Sequence, residues 1–134
     1  MITRWLLAFL LTQIVEGPIY VAALRSDGPP RARATMIALA LGASAITHPP
    51  LWFFAPNAWV ELYLAVVTRW PDARIASATT RYIVFVVLFE ALVVLVEGAY
   101  FAAAKLRRPW RWALAANATS VLVGFAVRAV FGVP

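Results

Sequence analysis

The chain has 134 residues, 63% of them hydrophobic and 13% charged, with a net charge of +6 and no cysteine. So few charges leave too little polar surface for a water-soluble domain of this size, and the missing cysteine excludes disulfides, thiolate metal sites and thiol chemistry. Eleven Arg and one Lys cluster in the connections between apolar runs, a topology signal rather than a nucleic-acid-binding face.

A spanning helix needs about 20 mostly apolar residues. The first such run is Trp5 to Leu24. It follows Arg4 as the apolar core of a signal peptide would. However, Gln13, Glu16 and Gly17-Pro18 interrupt it and no A-x-A pattern follows, so a retained span is expected. A basic connection with Arg25, Arg31 and Arg33 leads to the second run, Ala34 to Ala55. In that run Pro49-Pro50 should kink the helix and free the carbonyls of Ala45 and Ile46, which His48 or Thr47 would satisfy. Pro18 should break the first helix in the same way and leave a half-helix end able to help bind an ion.

Residues 56–81 follow. Ala58 to Trp70 is apolar but too short to span, with Pro56-Asn57 to start a helix and Pro71 to end it. Trp59, Tyr63 and Trp70 suit the headgroup region, so a helix lying in the interface is expected, in preference to a re-entrant segment. The third run is Tyr82 to Ala104. A second basic connection, with Lys105, Arg107, Arg108 and Arg111, overlaps the start of the fourth run, Trp110 to Val130. These runs lack the alternation of barrel strands, and four strands cannot close a barrel. The expected fold is an all-α integral membrane protein of four transmembrane helices in a single membrane domain, residues 1–134.

The two short basic connections hold seven Lys and Arg residues against five on the other side. The positive-inside rule therefore puts loops 25–33 and 105–111 in the cytoplasm, both termini outside, and the chain in a plasma or bacterial inner membrane.

An internal repeat is legible. Glu16-Gly17-Pro18-Ile19-Tyr20 resembles Glu97-Gly98-Ala99-Tyr100-Phe101, and Ser44-Ala45-Ile46-Thr47 resembles Asn117-Ala118-Thr119-Ser120. The fold thus reads as two parallel-repeat hairpins, 4–55 and 82–131, joined by the interfacial linker 56–81 and related by an axis along the membrane normal.

Helical spacing gathers the polar residues into stripes. Thr12, Gln13, Glu16 and Tyr20 share a face of the first helix, and Ser44, Thr47 and His48 a face of the second. Glu90 and Glu97, two turns or about 10.5 Å apart, share a face of the third, which Tyr100 continues. Asn117, Ser120, Gly124 and Arg128 line up on the fourth. Lipid cannot satisfy such groups, so the stripes should face the bundle interior and form a shallow polar cavity on the cytoplasmic side. Small residues such as Ala38, Gly42 and Ala45 permit close helix contact.

Each intramembrane carboxylate costs a few kcal/mol, so Glu16, Glu90 and Glu97 are expected to work rather than to be tolerated. The candidate ion- or substrate-binding set is Glu16, Glu97, Asn117, Ser120, Glu90, Tyr20 and Tyr100, with Glu16 and Glu97 as a coupled pair sharing a proton or a cation. The structural alternative is that each Glu simply orients the bundle through hydrogen bonds. His48 is a possible metal ligand or proton relay, although a lone histidine beside a kink is more often structural. No Ser/His/Asp set, H-E-x-x-H or phosphate-binding glycine loop occurs, and no particular cofactor is implied. The Asn117-Ala118-Thr119 glycosylation pattern lies within a span and is incidental. The function expected is transport of a proton, a cation or a small polar solute by a homo-oligomer. The rival is an accessory or assembly subunit that docks onto partner membrane helices, with an intramembrane acid–base enzyme third.

Overall fold

The computed structural model describes residues 2–131. The described chain is helical, with α1 (Ile2–Ser26), α2 (Arg33–Phe53), α3 (Ala55–Arg69), one 3-10 turn (Pro71–Ala73), α4 (Ala78–Ala103) and α5 (Pro109–Phe131). Four of these, α1, α2, α4 and α5, are long and apolar enough to cross a membrane. The shortest has 21 residues, which at 1.5 Å each gives about 31 Å, the thickness of a hydrocarbon core. Outward-facing Leu7 (64% exposed), Ile14 (70%), Val87 (60%) and Leu122 (68%) would destabilise a soluble bundle but match lipid.

The helices form a ring. α1 packs against α2 and α5, α4 packs against α5, and a lighter contact between α4 and α2 closes the circle. The buried faces carry Ala23, Ala40, Ala43, Ala113 and Ala116, small residues that let backbones approach. The expected small-residue contact forms at Gly42, where a Cβ would meet the Tyr100 hydroxyl at 2.7 Å, but not at Ala38 and Ala45, which point outward because Ser44 and Thr47 turn the neighbouring face of α2 inward.

The ends of the bundle differ. At the loop end, α4 stops in a Schellman motif: Leu106 N donates to Phe101 O (3.0 Å) and Lys105 N to Ala102 O (2.9 Å). Lys105 takes φ of 60°, a left-handed conformation usually given to glycine. The motif turns buried Leu106 back onto Phe101, in a cluster with Tyr20, Ala23, Leu24 and Met36. The two loops are then tied together. Arg107 N donates to Asp27 O (3.1 Å), the Trp112 indole to Asp27 Oδ2 (3.0 Å), and the Arg31 guanidinium to Ala104 O. At the terminus end, Ser77 caps α4 by accepting from Thr80 N (3.2 Å). There α3 packs on the end of α2 and reaches α4 through Trp59 and Phe85.

Neither proline site breaks its helix: α1 runs through Pro18 and α2 through Pro49 and Pro50. A proline removes one backbone donor, and neighbouring helices hold the rest of the turn in place. No half-helix end exists at Pro18 to receive an ion.

Candidate functional site

Each stripe delivers a side chain to one buried layer at the centre of the ring. Glu16 is 2% exposed, Glu97 1%, Ser44 1%, Asn117 4% and Tyr20 0%. Ser44 Oγ donates to Glu16 Oε2 (2.6 Å), and the Ser120 hydroxyl faces the same carboxylate from α5. Glu97 collects more partners. Thr47 Oγ1 donates to its Oε1 (2.8 Å), Asn117 Nδ2 to its Oε2 (2.8 Å), and the Tyr20 hydroxyl also donates to Oε2. Asn117 Nδ2 is fixed further by the Tyr20 hydroxyl (3.2 Å) and by Ala113 O (2.9 Å). The network thus links α1, α2, α4 and α5, and its donors are neutral hydroxyls and an amide. Glu16 and Glu97 are electrostatic neighbours, and Glu90 is within electrostatic reach of both without contacting either.

Of the residues the sequence nominates, Glu16, Glu97, Asn117, Ser120 and Tyr20 converge here. Glu90 stands apart, half-buried two turns along α4. Tyr100 does not join the layer. Its ring packs edge-on to Phe101 at 5.2 Å and its hydroxyl lies against Gly42. Ser44 and Thr47 are direct partners of the two glutamates and were absent from the nominated set. The sequence offset of 73 residues that aligns Ser44 with Asn117 also aligns Thr47 with Ser120, a pattern that could have nominated them.

Thr47 serves Glu97 and the carbonyls of Ala43 and Ser44 (both 3.4 Å), not the carbonyls that Pro49 and Pro50 free. His48 does not serve them either. It lies among Trp5, Phe9 and Trp52, with Phe9 at 5.3 Å, and its buried Nδ1 has no hydrogen-bond partner. Its neighbours are aromatic rings, a poor ligand set. Among the described residues no group of three His, Cys, Asp or Glu is placed to hold a metal ion.

A cavity of about 1210 Å³ adjoins the layer, and it opens at the terminus end rather than the loop end. Its inner rim is Thr12, Glu90 and Ser120, its wall is apolar apart from His48, and Arg4, Tyr82 and Arg128 stand at the mouth. The expected cavity on the loop side is not what forms. The cluster of Tyr20, Leu24, Phe101 and Leu106 fills that end, because the Schellman turn folds Leu106 over the layer. A recess of about 250 Å³ does occur there, but it is lined by Asp27, Arg108, Arg111, Trp112 and Ala115, away from the carboxylates. No protein-family model, curated protein or solved structure matches the chain.

Proposed function

We propose that this chain is a small membrane transport protein that works as a homo-oligomer and carries a proton, a cation or a small polar solute. The observation that supports it most is the placement of a buried carboxylate pair, Glu16 and Glu97, directly beneath a wide cavity that opens at one end of the bundle. A solute reaching Ser120 touches a residue that also faces Glu16, while a hydrophobic plug blocks passage onward. Access from one side to a polar centre is half of an alternating-access cycle.

We further read the fold as two parallel-repeat hairpins around this centre, with α3 lying in the interface and loops 25–33 and 105–111 in the cytoplasm of a plasma or bacterial inner membrane. Buried positions recur at the sequence offsets: Glu16 with Glu97, Gly17 with Gly98, Ala40 with Ala113, Ala43 with Ala116 and Ser44 with Asn117. Each glutamate takes one partner from α2 and one from α5. The pseudo-symmetry is broken where Tyr20 is matched by Phe101, so only Glu97 gains a phenol donor.

The test is flux in liposomes holding purified protein, for protons and a panel of cations. Wild type should conduct, and both Glu16→Gln and Glu97→Gln should fold but lose at least most of the flux. Unchanged flux in the Gln variants refutes the role of the pair. A second reading, an accessory subunit of a larger membrane complex, is favoured by the full set of donors around Glu97, which would equally lock helices together. No flux in wild type, together with co-purification of a stoichiometric membrane partner, selects it.

A further inference from the structure

The cavity is built in layers of opposite charge. Arg4 to Thr12 on α1, Tyr82 to Glu90 on α4, and Ser120 to Arg128 on α5 each span eight residues, or about 12 Å of helix. The mouth therefore carries two guanidinium groups, from adjacent helices. Arg128 is steadied by Tyr82, whose hydroxyl accepts from it at 3.4 Å and whose ring it overlies at 5.7 Å. The inner rim carries one carboxylate, Glu90, with two hydroxyls. Between them the wall is mostly apolar and aromatic, including Trp52, Phe85, Phe89 and Phe125, with the His48 imidazole as a polar member.

This lining does not suit a bare inorganic cation. Such an ion needs a tight cage of oxygens, and about 1210 Å³ is roughly forty times the ~30 Å³ that a water molecule occupies in the liquid. Two arginines at the entrance also oppose a simple cation. A simple anionic amphiphile satisfies the mouth but drives its tail against Glu90, and a simple cationic one does the reverse. One ligand class meets all three layers.

We propose that the cavity binds an amphipathic zwitterion, its ammonium at Glu90, its anionic group between Arg4 and Arg128, and an apolar body of about 12 Å between them. This rests on the transport reading and replaces its proton, cation or small polar solute with an amphipathic one. Glu90, Thr12 and Ser120 hold the ammonium by charge and hydroxyl acceptance, and the guanidinium groups take a carboxylate or phosphate as forks of donors. The apolar wall shields both pairings from water, which strengthens them.

The probe is 12-aminododecanoic acid, compared with dodecanoic acid and dodecylamine, added to purified protein in an uncharged detergent and followed by native mass spectrometry and thermal stabilisation. The zwitterion should bind roughly tenfold more tightly than either single-charge analogue, the effect of one charge-assisted hydrogen bond. The double variant Arg4→Gln/Arg128→Gln should lose its preference over dodecylamine, and Glu90→Gln its preference over dodecanoic acid. Gly124 lines the cavity and a Cβ there meets nothing within 4 Å, so Gly124→Trp should fold and weaken all three probes by crowding the wall. A zwitterion that binds no better than an analogue, or whose affinity is unchanged in Gly124→Trp, overturns the proposal. Proton or cation flux without zwitterion binding overturns only this solute class, whereas zwitterion binding without any flux leaves the site standing and removes the transport reading.

Discussion

Glu97 is the acceptor on which three other helices converge, so its removal gives the most direct measure of what the buried layer contributes. Glu97→Leu deletes the acceptor for the Tyr20 hydroxyl, Thr47 Oγ1 and Asn117 Nδ2. Asn117 keeps Ala113 O at 2.9 Å and Thr47 keeps two weak backbone contacts at 3.4 Å, but the Tyr20 O–H, at 0% exposure, loses its only acceptor among the described residues. Hydrogen bonds in membrane bundles average about 0.6 and reach about 1.7 kcal/mol, and an orphaned buried donor costs about 1–3 kcal/mol. Three lost bonds therefore come to roughly 2–5 kcal/mol. Glu97→Gln behaves differently. Its carbonyl can face Tyr20 and Asn117 while its amide donates to the Thr47 hydroxyl, which turns to accept, so the expected cost is below about 1 kcal/mol. Reversible unfolding in bicelles or mixed micelles measures both variants. The reasoning fails if Gln is as damaging as Leu, or if Leu lies within about 1 kcal/mol of wild type.

Single cysteines at Ser26 and Ala78 should react with a membrane-impermeant thiol reagent from opposite sides of the bilayer, and labelling from one side would refute the four-span topology. The paired glycines should diverge. A Cβ at Gly17 meets nothing within 4 Å, so Gly17→Ala should stabilise by up to about 1 kcal/mol, whereas Gly98 lies 3.2 Å from the Trp110 ring and Gly98→Leu should cost about 1–3 kcal/mol, both read from unfolding midpoints. Lys105→Gly should raise stability by about 1 kcal/mol by relieving the left-handed backbone at φ 60°, with a decrease refuting the assignment of that strain.

The spans were legible because lipid imposes one strong rule, a long apolar run, and each observed helix lies within a few residues of its expected run. The inward direction of Glu16, Glu97 and Asn117 was legible for the same reason. Which donor meets which carboxylate was not, since Ser44 and Thr47 look like ordinary helix-compatible hydroxyls until the ring order brings α2 beside both α1 and α4. The side on which the cavity opens was also hidden. It turns on Leu106, a residue of a basic loop that a hydropathy reading assigns to water and that the αL conformation of Lys105 folds back into the core. His48, read as more often structural than a ligand, stands among the rings of Phe9 and Trp52. Pro18 misled because the cost of a proline in a soluble helix interior does not carry over to a helix braced by neighbours in lipid.

The three ties at the loop end make the bundle a set of levers with a common pivot. Arg107, Trp112 and Arg31 fasten one end, while the far ends stand apart around the cavity. A 25-residue helix is about 37 Å long, so a tilt of about 5° at the pivot moves its far end by about 3 Å. Nearly all of that displacement falls in the leaflet on the terminus side. Lateral pressure in that leaflet would act on the long arms and pressure in the other leaflet would meet the fastened end, so loading the terminus-side leaflet alone with lipids of larger headgroup is expected to change how readily the cavity fills, and loading the opposite leaflet is not.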